Sequence, residues 1–194
     1  MIGKESVKER IVEAAWELFY EKGYDNTTME DIIRLSDTSK GSFYYYFDSK
    51  DALLGTLSTL LDDKYAKLQE IMDSNMNSFD KLIYLNYKMH DFMERKIDYE
   101  LLASLYSSQL ITKGERHLLD QNRKYYQLIS EIVEEGQKNG QITSEKTVHE
   151  ITKIYSICER AMVSDWCLSK GNYSLGAYSK EYMPLLLSEF KGKK

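Results

Sequence analysis

A chain of 194 residues with 42% hydrophobic and 29% charged residues and a net charge of −5 can bury a core and stay in water. One proline and ten glycines are too few breakers for a fold of many short strands and turns, which leaves long helices. No run approaches the ~18 uninterrupted apolar residues of a membrane span, and the amino end lacks a signal-peptide core, so a cytoplasmic protein without a membrane partner is expected.

The first helix is expected over about 7–22. Ser6-x-x-Glu9 forms a capping box and Gly23 supplies the stop. Val7, Ile11, Ala14, Ala15, Leu18 and Phe19 make one apolar stripe, while Glu5, Glu9, Glu13, Glu17 and Glu21 make a solvated face at spacing four. A short helix over 28–35 follows, opened by Thr27-x-x-Glu30. After the turn Ser36-Asp37-Thr38, a second short helix over 40–46 is capped by Ser39. Phe43 and Phe47 point inward with Tyr46 partly beside them. Tyr44 and Tyr45 face out, with Lys40, Gly41 and Ser42 on the first turn. Two short helices joined by a three-residue turn are the layout of a helix-turn-helix.

Further helices are expected over 50–73, starting at Ser49 or Asp48, then over 79–96, 99–112, 115–138, 145–169 and 175–191, the last kinked by Pro184. The fold class is therefore all-α with about nine helices. A three-helix helix-turn-helix domain over 1–49 precedes a larger helical domain over 50–194.

Residues 1–50 hold seven Lys/Arg against ten Asp/Glu, so attraction to phosphate has to be local. Lys40 can reach guanine O6/N7 or a phosphate, although a solvated lysine is the plain alternative. Ser42 and the bare backbone of Gly41 can enter a groove. Three consecutive tyrosines cannot all be buried on one helix, and an exposed Tyr44 or Tyr45 can donate to phosphate. Thr27 and Ser49 are caps in either reading, and Lys50 suits a phosphate.

Residues 10–54 resemble the amino-terminal domain of the tetracycline-repressor (TetR) family. The resemblance rests on Ile11-Val12-Glu13-Ala14-Ala15-Trp16-Glu17-Leu18-Phe19, Lys22-Gly23-Tyr24 and Thr27-Thr28-Met29-Glu30-Asp31-Ile32. It continues through Ser39-Lys40-Gly41-Ser42-Phe43-Tyr44-Tyr45-Tyr46-Phe47 and Ser49-Lys50-Asp51-Ala52-Leu53-Leu54. It covers about a quarter of the chain; the remainder resembles the family only in length and helix pattern, with Gly136, Gly140 and Trp166 in loose agreement. The family's turn usually reads Ala-Gly-Val, and Asp37 here takes the glycine position, where a positive φ is often needed.

The resemblance implies a dimeric transcription regulator, most often a repressor released from a pseudo-palindromic double-stranded operator by a small molecule. It places DNA contacts at Thr27, Thr28, Ser39, Lys40, Gly41, Ser42, Tyr44, Tyr45 and Lys50. It also implies a ligand cavity in the carboxy-terminal domain, and Tyr84, Tyr87, Phe92, Met93, Tyr106, Tyr126, Tyr155, Glu159, Met162 and Trp166 are its candidate lining. The same residues also read as ordinary core. Tyrosine joins apolar bulk to a polar tip, which suits a pocket wall. Glu159, Asp165 and Asp91 among these aromatics suit a lipophilic cation, and Arg160 equally suits an anion.

The segment 145–169 is apolar on two sides. Val148, Ile151, Tyr155, Cys158 and Met162 form one, Ile154, Ile157, Ala161 and Leu168 the other. A helix buried twice predicts a homodimer through a four-helix bundle of the last two helices. The candidate interface is Val148, Ile151, Tyr155, Met162, Tyr178, Tyr182 and Leu186. Two recognition helices then lie about 34 Å apart, one turn of duplex.

Cys158 and Cys167 are nine residues apart on one helix, roughly 13 Å, too far for a disulfide. His90, His117 and His149 lack ligand spacing and no phosphate-binding glycine loop occurs, so no enzyme, metal or cofactor is expected. Asp62-Asp63 reads as solvated surface. The remaining alternative is an all-α dimeric interaction or ligand-binding protein without DNA binding.

Overall fold

The structure is a computed structural model and describes residues 6–113 and 116–192. Among these, ten α-helices run in chain order: α1 Val7–Lys22, α2 Met29–Leu35, α3 Lys40–Tyr46, α4 Lys50–Leu54, α5 Leu57–Ile71, α6 Ser78–Lys96, α7 Tyr99–Ile111, α8 Lys124–Lys138, α9 Val148–Leu168 and α10 Leu175–Leu186. Single 3-10 turns cover His117–Leu119 and Ser188–Phe190. The all-α class stands as expected. No helix among the described residues is long and apolar enough to cross a membrane.

Three boundaries differ from expectation for local reasons. The helix expected over 50–73 is divided at Gly55-Thr56. Gly55 has poor helix propensity, and Thr56 Oγ1 donates to the Leu53 carbonyl (2.6 Å) while accepting from Trp16 Nε1 (3.0 Å). The helix expected from 115 begins at Lys124; Gly114 and Glu115 lie outside the described residues. Before it, Asp120 Oδ1 accepts from the Asn122 N–H (2.9 Å), a local bond that competes with helix. The last helix ends at Leu186, two residues after Pro184. The tail is then pinned by the Thr143 N–H on the Phe190 carbonyl and the Gly192 N–H on the Gln141 carbonyl, both at 2.9 Å.

The chain forms two compact units. One comprises the residues through Thr59 together with Glu100–His117, the other Leu60–Tyr99 together with the residues from Leu118 onward. The boundary expected at 49/50 thus falls inside the first unit, at the start of α4.

In the first unit α1 packs on α2 and α3. Ile11, Ala14, Ala15 and Phe19 are buried, as are Ile32, Phe43 and Phe47. Truncating the fully buried Phe43 to alanine would cost about 3–5 kcal/mol by the usual cavity arithmetic.

In the second unit α6 packs on α8 and α10, and α9 packs on α8 and α10. A Cβ at Gly176 would lie 3.0 Å from the Asp91 Cα, so glycine is what lets α10 approach α6 so closely. The same junction is capped from α6: Glu94 accepts from Ser174 Oγ (3.0 Å) and from the Gly176 N–H (2.7 Å). Asp62 is no solvated carboxylate. It accepts two bonds of 2.9 Å from Arg123 and one of 3.3 Å from the Tyr125 N–H, which caps the start of α8 from α5.

Candidate nucleic-acid interface and effector body

The cap of α2 is Thr28, one residue later than the spacing suggested. Its Oγ1 accepts from the Asp31 N–H (3.1 Å) while Asp31 Oδ2 accepts from the Thr28 N–H (3.0 Å). Thr27 is 2% exposed, and its hydroxyl donates to the Leu18 and Gly23 carbonyls. A buried hydroxyl with its proton committed inside cannot meet a phosphate, so Thr27 anchors the loop instead. Asp31 also pairs with Lys22 (2.5 Å) and Arg34 (2.8 Å). The hydrogen bond from Lys22, helped by those from Thr28, holds its carboxyl far below the usual carboxylate range.

The turn before α3 keeps Asp37 at φ 49°, the left-handed conformation its position in the motif demands. Arg10 braces it by donating to the Ser36 carbonyl (3.0 Å) and the Asp37 carbonyl (3.3 Å). Ser39 then caps α3, accepting from the Ser42 N–H (3.0 Å), and its Oγ lies 2.9 Å from Ser42 Oγ.

Phe43 and Phe47 anchor α3 in the core, which turns the rest of the helix outward. Tyr45 is 81% exposed, and Tyr44 and Tyr46 are exposed beside it; Tyr46, expected partly beside the inward phenylalanines, is as open as Tyr44. The Tyr44 hydroxyl rests against Met29 Sδ at 3.6 Å, and Lys40 Nζ lies 5.9 Å from the Tyr44 ring centre. Gly41 is exposed, and a Cβ there would find only Ser39 Oγ at 3.9 Å. Nothing inside the protein requires glycine at that position.

Lys50 is placed differently from the expectation of a solvent-facing phosphate ligand. Its ammonium donates to the Tyr24 carbonyl (2.6 Å) and the Thr27 carbonyl (3.0 Å) and lies 4.1 Å from the Tyr24 ring centre. Tyr24 in turn donates its hydroxyl to Asp51. Lys50 thereby ties α4 to the loop before α2.

The ligand-lining candidates fall in different surroundings. Met93, Tyr126, Tyr155, Glu159, Met162 and Trp166 are buried in the second unit, while Tyr106 belongs to the first unit. Glu159 sits at the heart of a polar cluster. It accepts from Tyr65 Oη (3.2 Å) and Asn86 Nδ2 (3.1 Å), and Tyr155 Oη donates to the Leu82 carbonyl (3.0 Å). Burial pushes the Glu159 carboxyl up, against the hydrogen bonds that favour its charged form. Tyr126 donates to the Leu118 carbonyl (3.1 Å) and accepts from Arg160 (3.2 Å).

Tyr84 and Phe92 instead line an open groove of about 270 Å³ between α5 and α6, in the company of Lys64, Lys88, Arg95 and Lys96. Tyr87 is half-buried, with Lys88 Nζ 5.0 Å and Lys180 Nζ 5.4 Å from its ring centre.

The candidate dimer residues also divide. Ile151, Tyr155 and Met162 are buried within their own protomer, so they cannot face a partner. The other side of α9 carries the exposed Ile154, Ile157 and Leu168, and α10 exposes Tyr178, Tyr182, Leu185 and Leu186. Tyr178 and Tyr182 stack at 4.4 Å between ring centres. Both cysteines are free and half-buried, and burial raises both thiols, Cys167 to about 11.

A capped short helix, a braced turn and an outward helix anchored by two phenylalanines define a helix-turn-helix DNA-binding protein. Residues 11–57 match the family described as bacterial regulatory proteins, tetR family, and residues 61–189 match the family described as YsiA-like protein, C-terminal region. The chain belongs to the tetR family of bacterial regulatory proteins, and it is a DNA-binding transcriptional regulator. It is 25% identical over 194 residues to the HTH-type transcriptional repressor KstR2 of Rhodococcus jostii, covering 95% of this chain and 91% of that one. Its fold is similar to the FadR of Thermus thermophilus, a TetR-family transcriptional repressor in complex with lauroyl-CoA (TM-score 0.77, 21% identity, 96% of both chains). It is also similar to the FadR of Bacillus subtilis in complex with stearoyl-CoA (TM-score 0.72, 21% identity, 93% of this chain and 98% of that one).

Proposed function

We propose that this protein is a homodimeric repressor that occupies a pseudo-palindromic operator and leaves it on binding a long-chain acyl-CoA thioester. The observation that carries the DNA half is the outward face of α3. Lys40, Tyr44 and Tyr45 project from a helix whose other face is locked in the core, and Gly41 leaves its backbone bare. Thr28, Ser39 and Ser42 border the same face as backbone and phosphate contacts, with Tyr46 added to the set.

The acyl-CoA half is suggested by the ligands of the two FadR proteins, and the cation-lined groove between α5 and α6 supports it. A cationic effector, the other possibility raised by Glu159, Asp165 and Asp91, has less support, because all three carboxyls already hold partners inside the protein. Glu159 holds Tyr65 and Asn86, Asp165 accepts from Tyr173 Oη (3.0 Å), and Asp91 pairs with Arg95 (2.7 Å).

Dimerisation follows from the exposed apolar side of α9 and α10. The test is fluorescence anisotropy of labelled DNA from upstream of the protein's own gene at fixed salt. Sub-micromolar binding, weakened at least tenfold in Tyr45→Ala and Lys40→Ala and reversed by micromolar lauroyl-CoA, is the expected result. Binding that survives lauroyl-CoA overturns the effector assignment, and no binding overturns the repressor reading at this locus.

A further inference from the structure

We infer that the groove between α5 and α6 holds the phosphorylated nucleotide end of the effector, an inference that rests on the acyl-CoA reading above. The protein carries a net charge of −5, yet the cations Lys64, Lys88 and Arg95 line this groove with one carboxylate, Asp91. That carboxylate is already paired with Arg95 at 2.7 Å. A local excess of cations on an anionic molecule is a field for a polyanion.

The groove is also aromatic. Lys64 Nζ lies 5.2 Å from the Phe92 ring centre, and Lys88 Nζ lies 5.8 Å from that of Tyr84. A nucleotide satisfies both features at once. Its phosphates accept charge-assisted bonds from the lysines, and its base stacks on the ring faces that the lysines now cover.

Size selects the same part of the ligand. About 270 Å³ lies below the ~300–1,000 Å³ usual for a whole drug-sized ligand. It suits a phosphorylated adenosine and leaves the acyl chain to another place. Lys64 and Lys88 come from different helices, so a shared hold on one ligand would add a link between α5 and α6 to the Lys64–Phe92 contact.

The test compares wild type with Lys64→Glu/Lys88→Glu in operator-bound complexes, using lauroyl-CoA, coenzyme A and lauric acid as probes at two salt concentrations. Wild type is expected to bind lauroyl-CoA with an affinity that falls as salt rises, to bind coenzyme A weakly, and to ignore lauric acid. The double variant is expected to bind operator as before, to need at least tenfold more lauroyl-CoA for release, and to lose most of the salt dependence. Release at the wild-type concentration of lauroyl-CoA would overturn the groove assignment and leave the acyl-CoA reading standing. A wild type that lauroyl-CoA neither binds nor releases would overturn both. Should the double variant not fold by circular dichroism, Lys64→Gln/Lys88→Gln makes the same comparison without charge reversal, with the same outcomes.

Discussion

The Tyr65 hydroxyl lies 3.2 Å from Glu159 Oε1, a hydrogen bond across 94 residues that joins α5 to α9 inside the second unit. Asn86 adds a second donor from α6. Three helices therefore converge on one buried carboxyl, whose donors Tyr65 and Asn86 are both neutral. Burial raises the Glu159 pKa above its ordinary 4.5. As pH rises, the unfolded chain gives up this proton before the folded one does, so stability falls from 4.5 up to the raised value and stays reduced beyond it. Glu159→Gln should melt above wild type at pH 8, with the gap closing toward pH 4.5. A gap independent of pH would remove the ionised carboxyl from the account.

His90 acts in the opposite direction. It is fully buried with Nδ1 against Ser179 Oγ, and burial depresses its pKa to about 3. The unfolded chain takes up the proton first as pH falls, so the stability due to neutral His90 is complete above pH 6.5 and is lost progressively toward pH 3. In urea titrations at pH 7.5 and 5, His90→Gln should lose less stability on acidification than wild type does. Equal losses would contradict the buried neutral ring.

Gly41 separates folding from recognition. Its exposed helical position has room for a methyl group, so Gly41→Ala should raise stability by about 0.5–1 kcal/mol through helix propensity. The same methyl group would obstruct a DNA backbone or base edge, and operator affinity should drop at least tenfold. A more stable variant that binds operator normally would show that α3 does not approach DNA at this residue.

Asp37 carries the strain of the turn at φ 49°. Asp37→Gly should leave stability unchanged or higher, whereas Asp37→Val should cost roughly 1–2 kcal/mol because a β-branched side chain resists that conformation. Chemical denaturation of the two variants tests the order.

The outer side of α9 and α10 should carry the dimer. Leu185 and Leu168 are 65% and 84% exposed, so replacing either should not disturb the protomer core. Leu185→Glu should shift the mass measured by light scattering at micromolar concentration from dimer toward monomer, with helicity unchanged. A variant that remains fully dimeric would place the interface elsewhere.

Much of the first unit was legible because its signals are local. Ser6 with Glu9, Ser39, Ser49 and Gly23 act on backbone groups within one turn, and the spacing of Phe43 and Phe47 settles which side of α3 faces inward. Where two hydroxyls compete at adjacent positions, as Thr27 and Thr28 do, spacing does not choose. The Leu18 and Gly23 carbonyls draw Thr27 into the interior and leave Thr28 as the cap.

The sequence by itself determined the all-α class, the helix-turn-helix and the outward direction of Tyr44 and Tyr45, since caps, turns and helical periodicity are short-range. Only the tertiary structure decided which of two apolar sides of α9 turns inward, because Ile151, Tyr155 and Met162 differ from Ile154, Ile157 and Leu168 only in what packs against them. Likewise Asp62 became the partner of Arg123, and Lys50 a tie to the Tyr24 and Thr27 carbonyls, through contacts between residues far apart in sequence. Burial and electrostatics depend on the neighbours that folding brings together, and those neighbours lie beyond the reach of any local pattern.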